Sequence, residues 1–117
     1  MDKTERYKKA AENYLKAAKV GTRRGGDALK EMKEDFCAFG DSYYEGKGVD
    51  QDYELAVYWY KLAAELGDRV AQTKLGNCYD NGTGVPRDQH MAKYWWVEAA
   101  KRGGVRAKQI LDERGWM

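Results

Sequence analysis

Apolar residues recur at helical spacing along most of the chain and predict an all-α fold. Ala28, Met32, Phe36, Phe39 and Tyr43 follow one another at intervals of three or four residues, which places them on one face of a helix. No segment alternates apolar and polar residues in the way that a half-buried strand would. The pattern and its glycine and aspartate breaks predict helices at about residues 4–20, 27–45, 52–66, 68–81, 88–102 and 104–114.

The chain also repeats itself with a period of 36 residues. When residues 36–71 are aligned with residues 72–107, 13 of the 36 positions are identical without a gap. A fainter copy precedes them, because residues 7–21 match residues 53–67 at an offset of 46. We therefore predict a single domain over residues 1–117, made of an N-terminal helix and loop (about 4–26), two full repeats (36–71 and 72–107) and a C-terminal end (108–117).

Each repeated residue type suits one structural task, shown here for the second copy. Asp88 is placed to cap the N-terminus of the next helix, and Gly103 to end it. Gly76 is small enough for a neighbouring helix to approach closely, whereas Trp95 is large enough to fill the space between repeats. Each has an identical counterpart 36 residues earlier, so the sequence predicts one helical hairpin built twice.

The second copy resembles the Sel1-like repeat, a relative of the tetratricopeptide repeat, through the motif Leu75-Gly76-x-x-Tyr79-x-x-Gly82-x-Gly84-Val85-x-x-Asp88, then Ala92-x-x-Trp95 and Ala99-Ala100-x-x-Gly103. The first copy carries the same signature with Phe39 in place of the leucine. The resemblance implies an α/α solenoid, a superhelix of about two full repeats plus flanking helices. It also implies that the first helix of each pair, the A helix, lines a concave surface. Proteins of this kind serve as adaptors in signalling, bacterial envelope and host interactions, and protein quality control.

The cysteines depart from one branch of that family. Some secreted bacterial members carry a regular pair of bridging cysteines in each repeat, but here Cys37 corresponds to Thr73 and Cys78 to Ser42. The two thiols are therefore not a repeat pair, which argues against the disulfide-bridged branch and its reported β-lactam binding. We expect free thiols in a reducing cytoplasm.

Apolar content and charge distribution indicate where the protein is expected to act and which surface is charged. The N-terminal residues lack the apolar core of a signal peptide, and no apolar stretch is long enough to cross a bilayer. The net charge of +2 is unevenly spread, with +5 in residues 1–26, −6 in residues 27–66 and +3 in residues 67–117. We expect a protein with no membrane association and an acidic middle section.

The sequence contains no recognisable combination of catalytic or metal-binding residues. The single histidine, His90, falls in the first turn of a predicted helix and corresponds to Glu54, so a surface position is expected. The Gly46–Val49 turn lacks the ending of a phosphate-binding loop and recurs at residues 82–85 without its lysine. The sequence therefore predicts no enzyme, no cofactor, no metal and no small-molecule substrate.

Helical geometry predicts which side of the A helices would meet a partner. If residues 71, 75, 78 and 79 are buried, residues 69, 73, 77 and 80 point away from the core. Cys37 and Val105 fall at equivalent positions in the neighbouring A helices. The predicted partner-binding residues are Lys33, Asp41, Tyr44, Glu45, Arg69, Thr73, Asn77, Asp80, Gln109 and Glu113. The acidic members favour a basic partner, and Tyr44 is a plausible anchor.

Several partners fit these features. The resemblance extends to small cytoplasmic proteins that act as immunity proteins against secreted bacterial toxins, and nuclease toxins are commonly basic. A general adaptor role is the broader alternative. A nucleic-acid-binding protein is a third, because the N-terminal helix carries Lys3, Arg6, Lys8, Lys9, Lys16 and Lys19. The protein is expected to be a monomer or a homodimer.

Overall fold

The computed structural model describes residues 25–116, and the helix predicted at residues 4–20 lies outside this range. The described residues form five helices and no strand: α1 (Gly25–Glu45), α2 (Tyr53–Glu65), α3 (Arg69–Asn81), α4 (Gln89–Lys101) and α5 (Val105–Arg114). Each of these helices begins and ends within two residues of the sequence-based expectation. The all-α prediction is thus confirmed for this part of the chain.

The chain divides into two compact units, residues 1–32 and residues 33–117. The packing described below is that of the second unit, in which consecutive helices contact one another from α2 through to α5. The expectation of a single domain over the whole chain stays a prediction.

Aspartates begin three of the helices, as the repeat predicts. The Asp88 carboxylate accepts hydrogen bonds from the backbone N–H groups of His90 and Met91, at 3.0 and 3.1 Å. Asp52 and Asp68 cap α2 and α3 in the same way. At the start of α5 the equivalent residue is Gly104, which offers no side-chain cap. One helix of this unit therefore begins without the carboxylate that the repeat otherwise supplies.

Glycine allows the A helix and its following B helix to interlock in both repeats. A methyl group at Gly76 would lie 2.5 Å from Cδ1 and Nε1 of Trp96, and one at Gly40 would lie 2.5 Å from two ring carbons of Tyr60. The two aromatic rings pack against the glycines at equivalent positions of the two hairpins. The predicted task of these glycines, close approach of the partner helix, is confirmed by this contact.

The aromatic core is richer than the sequence suggested. Trp59 and Trp95 are buried as predicted, but the most deeply buried tryptophan is Trp96, with 1% of its surface exposed. Its indole N–H lies 3.2 Å from both the Thr73 carbonyl oxygen and Asn77 Oδ1. By contrast Phe39, a member of the predicted apolar stripe, remains 39% exposed while its ring packs edge-on against Trp59.

The two repeats also contact each other through a turn. Gly84 has a φ of +75°, and its Cα lies against the Tyr53 carbonyl and the Val57 side chain at the start of α2. A residue with a Cβ would be strained there and would collide with α2. The second Gly-x-Gly-Val turn is therefore a point of attachment between successive hairpins.

Candidate partner-binding face

The A helices α1, α3 and α5 border two adjoining grooves, which together we call the A-helix face. The α1/α3 groove encloses about 200 Å³ and is lined by Asp41, Tyr44, Glu45, Tyr60, Lys74, Asn77 and Cys78. The α3/α5 groove encloses about 430 Å³ and is lined by Arg69, Val70, Thr73, Lys74, Asn77, Gly103, Gly104, Val105 and Arg106. Lys74 and Asn77 of α3 belong to both grooves.

Six of the ten predicted partner-binding residues line these grooves. Three are specific to the α1/α3 groove, two to the α3/α5 groove, and Asn77 belongs to both: Asp41, Tyr44, Glu45, Arg69, Thr73 and Asn77. The other four line neither groove. Lys33 and Asp80 are half-buried, whereas Gln109 and Glu113 are exposed on α5.

The predicted periodicity of α3 explains this arrangement. Ala71, Leu75 and Cys78 are buried against the neighbouring helices, while Arg69 and Asn77 are exposed on the opposite side. The equivalent rule fails for Cys37 in α1, which was expected on the face and is instead buried. A thiol is small and apolar enough to be accommodated in the core.

Asp41 organises the α1/α3 groove. Its Oδ1 accepts a hydrogen bond from the Tyr60 hydroxyl at 2.6 Å and lies 2.6 Å from Nζ of Lys74. Burial raises the pKa of Tyr60 well above its usual value, and the adjacent Asp41 carboxylate raises it further. Lys74 thus neutralises a carboxylate that the sequence assigned to an acidic surface, and Tyr60 remains a hydrogen-bond donor at any physiological pH.

Asp80 is engaged within the protein in a similar way. Both of its carboxylate oxygens accept hydrogen bonds from the Arg114 guanidinium at 2.8 Å, and Gln89 donates a further one at 2.9 Å. The same guanidinium lies 4.9 Å from the ring centre of Trp96 and 5.0 Å from that of Trp116. The Arg114 hydrogen bonds are the main reason that the pKa of Asp80 is lowered. Asp80 therefore contributes less acidity to the surface than its sequence position suggested.

This ion pair predicts a pH-dependent stability difference between the wild type and Asp80→Asn. Because the pKa of Asp80 in the fold lies below its usual value of 3.8, the pair stabilises the fold fully above that pH. The contribution is lost as the pH falls from 3.8 towards the lower folded-state pKa. Urea denaturation should show Asp80→Asn less stable by about 1 kcal/mol at neutral pH, and nearly equal to the wild type in strong acid. A difference independent of pH would contradict the assignment.

The α3/α5 groove has a different character. Its exposed apolar side chains are Val105, with 81% of its surface exposed, and Val70, with 49%. The Arg69 guanidinium donates to the Arg102 carbonyl at 3.1 Å, and Arg106 donates to Gln109 Oε1 at 3.2 Å. The groove therefore combines exposed aliphatic surface with guanidinium groups.

Among the lining residues that the sequence did not predict are Lys74, Val70 and Arg106. Lys74 corresponds to Ala38 and Ile110, so the repeat gave no sign of a conserved charge at its position. Val70 and Arg106 lie next to predicted face positions in the first turns of α3 and α5. Widening the predicted face by one residue on each side would have included all three.

The two cysteines and the single histidine are the other residues whose side chains could carry chemistry. Both cysteines are free and buried, and burial raises the pKa of Cys37 to about 12 and that of Cys78 to about 11. His90 is exposed on α4, as expected. Residues 25–116 contain no cluster of three or more His, Cys, Asp or Glu side chains that could hold a metal ion. None of the helices found there combines the length and apolar character of a membrane span.

The Sel1 repeat family model matches the chain at residues 4–21, 37–68 and 69–104. These segments make up most of the sequence, and the chain belongs to the Sel1 repeat family. Such repeats typify protein-interaction modules. No curated protein matches the chain.

Solved structures with the same fold support this assignment. A Sel1 repeat protein from Oxalobacter formigenes is 38% identical with a TM-score of 0.68, over 74% of this chain and 25% of its own. The protein c5321, a protective antigen of uropathogenic Escherichia coli with an SLR fold, is 37% identical with a TM-score of 0.67, over 75% and 20%. The chain thus spans only about a quarter and a fifth of these relatives.

A third similar structure, the cysteine-rich protein B of Helicobacter pylori, is 23% identical with a TM-score of 0.67. It covers 94% of this chain and 98% of its own length. At this level of identity the likeness establishes the fold alone. Together with the helices described above, it confirms the predicted α/α solenoid.

Proposed function

We propose that the chain is a protein-binding module that holds a partner protein along the A-helix face and catalyses no reaction. The observation that carries the proposal is the convergence of Asp41, Tyr44, Arg69, Thr73 and Asn77 on two adjoining grooves. Helical phase in α3 and the 36-residue repeat independently predict that these residues lie on one side of the A helices. Their convergence supports one continuous surface on three helices.

The chemistry of the two grooves suits a macromolecular partner. Specific interfaces combine aromatic and arginine anchors with a polar rim, and the face offers Tyr44, Arg69 and Arg106 for that purpose. The groove walls belong to helices that are fixed by their buried sides, so little ordering is needed on binding. Burial raises the pKa of both the Cys37 and the Cys78 thiols, which makes them poor nucleophiles at neutral pH.

The charges of the α1/α3 groove bear on which partner the A-helix face binds. A basic toxin, with this chain as its immunity protein, would use Asp41 and Glu45 in the α1/α3 groove. Their charges are partly satisfied already, since Asp41 pairs with Lys74 and Glu45 with Lys47 at 2.8 Å. This immunity role stays a prediction, as does the cytoplasmic location, which the two free thiols favour.

Site-specific photo-cross-linking in the source cells tests the proposed surface. In one variant p-benzoylphenylalanine replaces Val105, which is exposed in the α3/α5 groove; in the control it replaces Tyr94, which is 53% exposed on α4 and lines neither groove. We expect a defined cross-linked protein from position 105 and none from position 94.

Equal cross-linking from both positions, or cross-linking only from position 94, would contradict the proposed surface. The two variants carry the same photoreactive group on exposed helical positions. A difference between them therefore reports the location of the partner.

A further inference from the structure

The two grooves of the A-helix face differ in charge. The α1/α3 groove is lined by the carboxylates of Asp41 and Glu45 and by a single cation, Lys74. The α3/α5 groove is lined by three cations, Arg69, Lys74 and Arg106, and by no carboxylate. Lys74 is the boundary between them, because its ammonium group is held 2.6 Å from Asp41. The cationic character of the second groove therefore comes mainly from the two arginines.

Those two arginines have only neutral hydrogen-bond acceptors within residues 25–116. Arg69 donates to a backbone carbonyl, and Arg106 donates to the amide oxygen of Gln109. Elsewhere in the same unit Arg102 and Arg114 each make a salt bridge, with Glu98 and Asp80. The groove thus presents two guanidinium groups that pair with no carboxylate of the described residues, although a carboxylate is their preferred bidentate partner.

The helix ends add to the positive potential of this groove. Arg69 and Arg106 lie in the first turns of α3 and α5, and neither first turn contains an acidic residue. A cation at a helix N-terminus is unfavourable, because the unpaired backbone N–H groups there already carry partial positive charge. Asp68 offsets this at α3, whereas Gly104 supplies no side chain at α5. An incoming anion would be attracted by both the arginines and the helix end.

Size and apolar surface restrict what the anion belongs to. The groove volume of about 430 Å³ falls within the range typical of ligand-binding clefts. Val70 and Val105 expose aliphatic surface at its walls. A free inorganic anion would leave this surface in water, whereas a peptide with an aliphatic side chain next to a carboxylate would cover it.

From this combination we infer that the α3/α5 groove binds an acidic segment of the partner protein, in which glutamate or aspartate alternates with aliphatic residues. The inference rests on the proposed function and gives the partner chemistry of one groove. The carboxylates pair with Arg69 and Arg106, and an aliphatic side chain packs against Val70 and Val105. The expected partner segment is therefore acidic at this groove, opposite in sign to the basic partner expected from the sequence.

Amide NMR titration of the full-length, isotope-labelled protein tests the inference. The probe is a short peptide, blocked at both ends, in which glutamate alternates with valine. Matched peptides carry glutamine or lysine in place of every glutamate. We expect the largest shift changes at residues 69–77 and 103–106, and affinity for the glutamate peptide at least about tenfold above that for the glutamine peptide.

Charge-matched variants separate a specific groove from general electrostatic attraction. Arg69→Gln/Arg106→Gln removes two positive charges from the groove, whereas Arg87→Gln/Lys93→Gln removes two from exposed positions that line neither groove. We expect about tenfold weaker binding for the first pair and less than about twofold change for the second. Thermal denaturation verifies that both remain folded.

Each other outcome overturns the inference. These are no binding of the glutamate peptide, equal binding of the glutamine peptide, preference for the lysine peptide, or equal losses in the two double variants. Cross-linking through position 105 is independent of peptide charge. If position 105 cross-links to a partner but the glutamate peptide does not bind, the proposed function is retained and only the inference of an acidic partner segment is rejected.

Discussion

Trp96→Ala is expected to lower the free energy of unfolding by about 3–5 kcal/mol, the largest loss from any single truncation in the described unit. Trp96 is 1% exposed and belongs to the core cluster that joins α4 to α5. Its ring lies against the bare backbone of Gly76, and its N–H is bonded to α3. Truncation would leave a large cavity and remove the surface against which Arg114 and Trp116 pack.

Urea denaturation followed by circular dichroism measures this loss, with Tyr94→Ala as the matched control. Tyr94 lies on the same helix but is 53% exposed, so its truncation should cost less than about 1 kcal/mol. If Trp96→Ala fails to fold, Trp96→Phe keeps most of the volume and loses mainly the indole hydrogen bonds, at about 1–2 kcal/mol. Equal effects at positions 94 and 96 would contradict the packing described here.

Gly76→Ala is expected to destabilise the protein by about 1–3 kcal/mol, although helix propensity alone predicts stabilisation of about 1 kcal/mol. The sign is reversed because the added methyl group would lie 2.5 Å from two atoms of the Trp96 ring. The ring is enclosed on its other sides by the core cluster and has little freedom to move. The measurement is again the free energy of unfolding in urea.

A double-mutant cycle tests the cause of this reversal. In a Trp96→Leu background no aromatic ring faces the methyl group, so Gly76→Ala should cost at least about 1 kcal/mol less than in the wild type. The same substitution at Gly40, against Tyr60, offers an independent test in the first repeat. Additive effects of the Gly76 and Trp96 substitutions would show that the two residues do not constrain each other.

The fold was largely predictable because the repeat constrains it twice. A role assigned to a residue in one copy could be checked against its counterpart in the other. The structure confirms this for two pairs: both Asp52 and Asp88 cap a helix, and both Gly40 and Gly76 lie against an aromatic ring. The sequence places Trp96 in a cluster of aromatic residues but does not mark it as the most buried tryptophan, because its counterpart is Tyr60 and the pair is not an identity. The two rings occupy equivalent positions in the two hairpins. The Tyr60 hydroxyl donates a hydrogen bond to Asp41 of α1, and the Trp96 N–H donates one to Asn77 of α3.

The candidate site was less predictable than the fold. Helical phase correctly placed Arg69 and Asn77 on the exposed side of α3, but phase does not reveal ion pairs between helices. Lys74 reaches Asp41 across 33 sequence positions, and Arg114 reaches Asp80 across 34. Both contacts neutralise carboxylates that appeared free in the sequence. The charge that the surface presents therefore depends on how the helices pack, and counting the charged residues in one segment of the chain does not predict it.

Hydrogen–deuterium exchange of the complex with the protein captured through position 105 tests most directly whether the A-helix face is the binding surface. We expect the largest slowing of amide exchange in α3, α5, residues 41–45 of α1 and residues 103–104, with α2 and α4 changed little. Slowing concentrated in α2 and α4, with α3 and α5 exchanging as in the free protein, would contradict it.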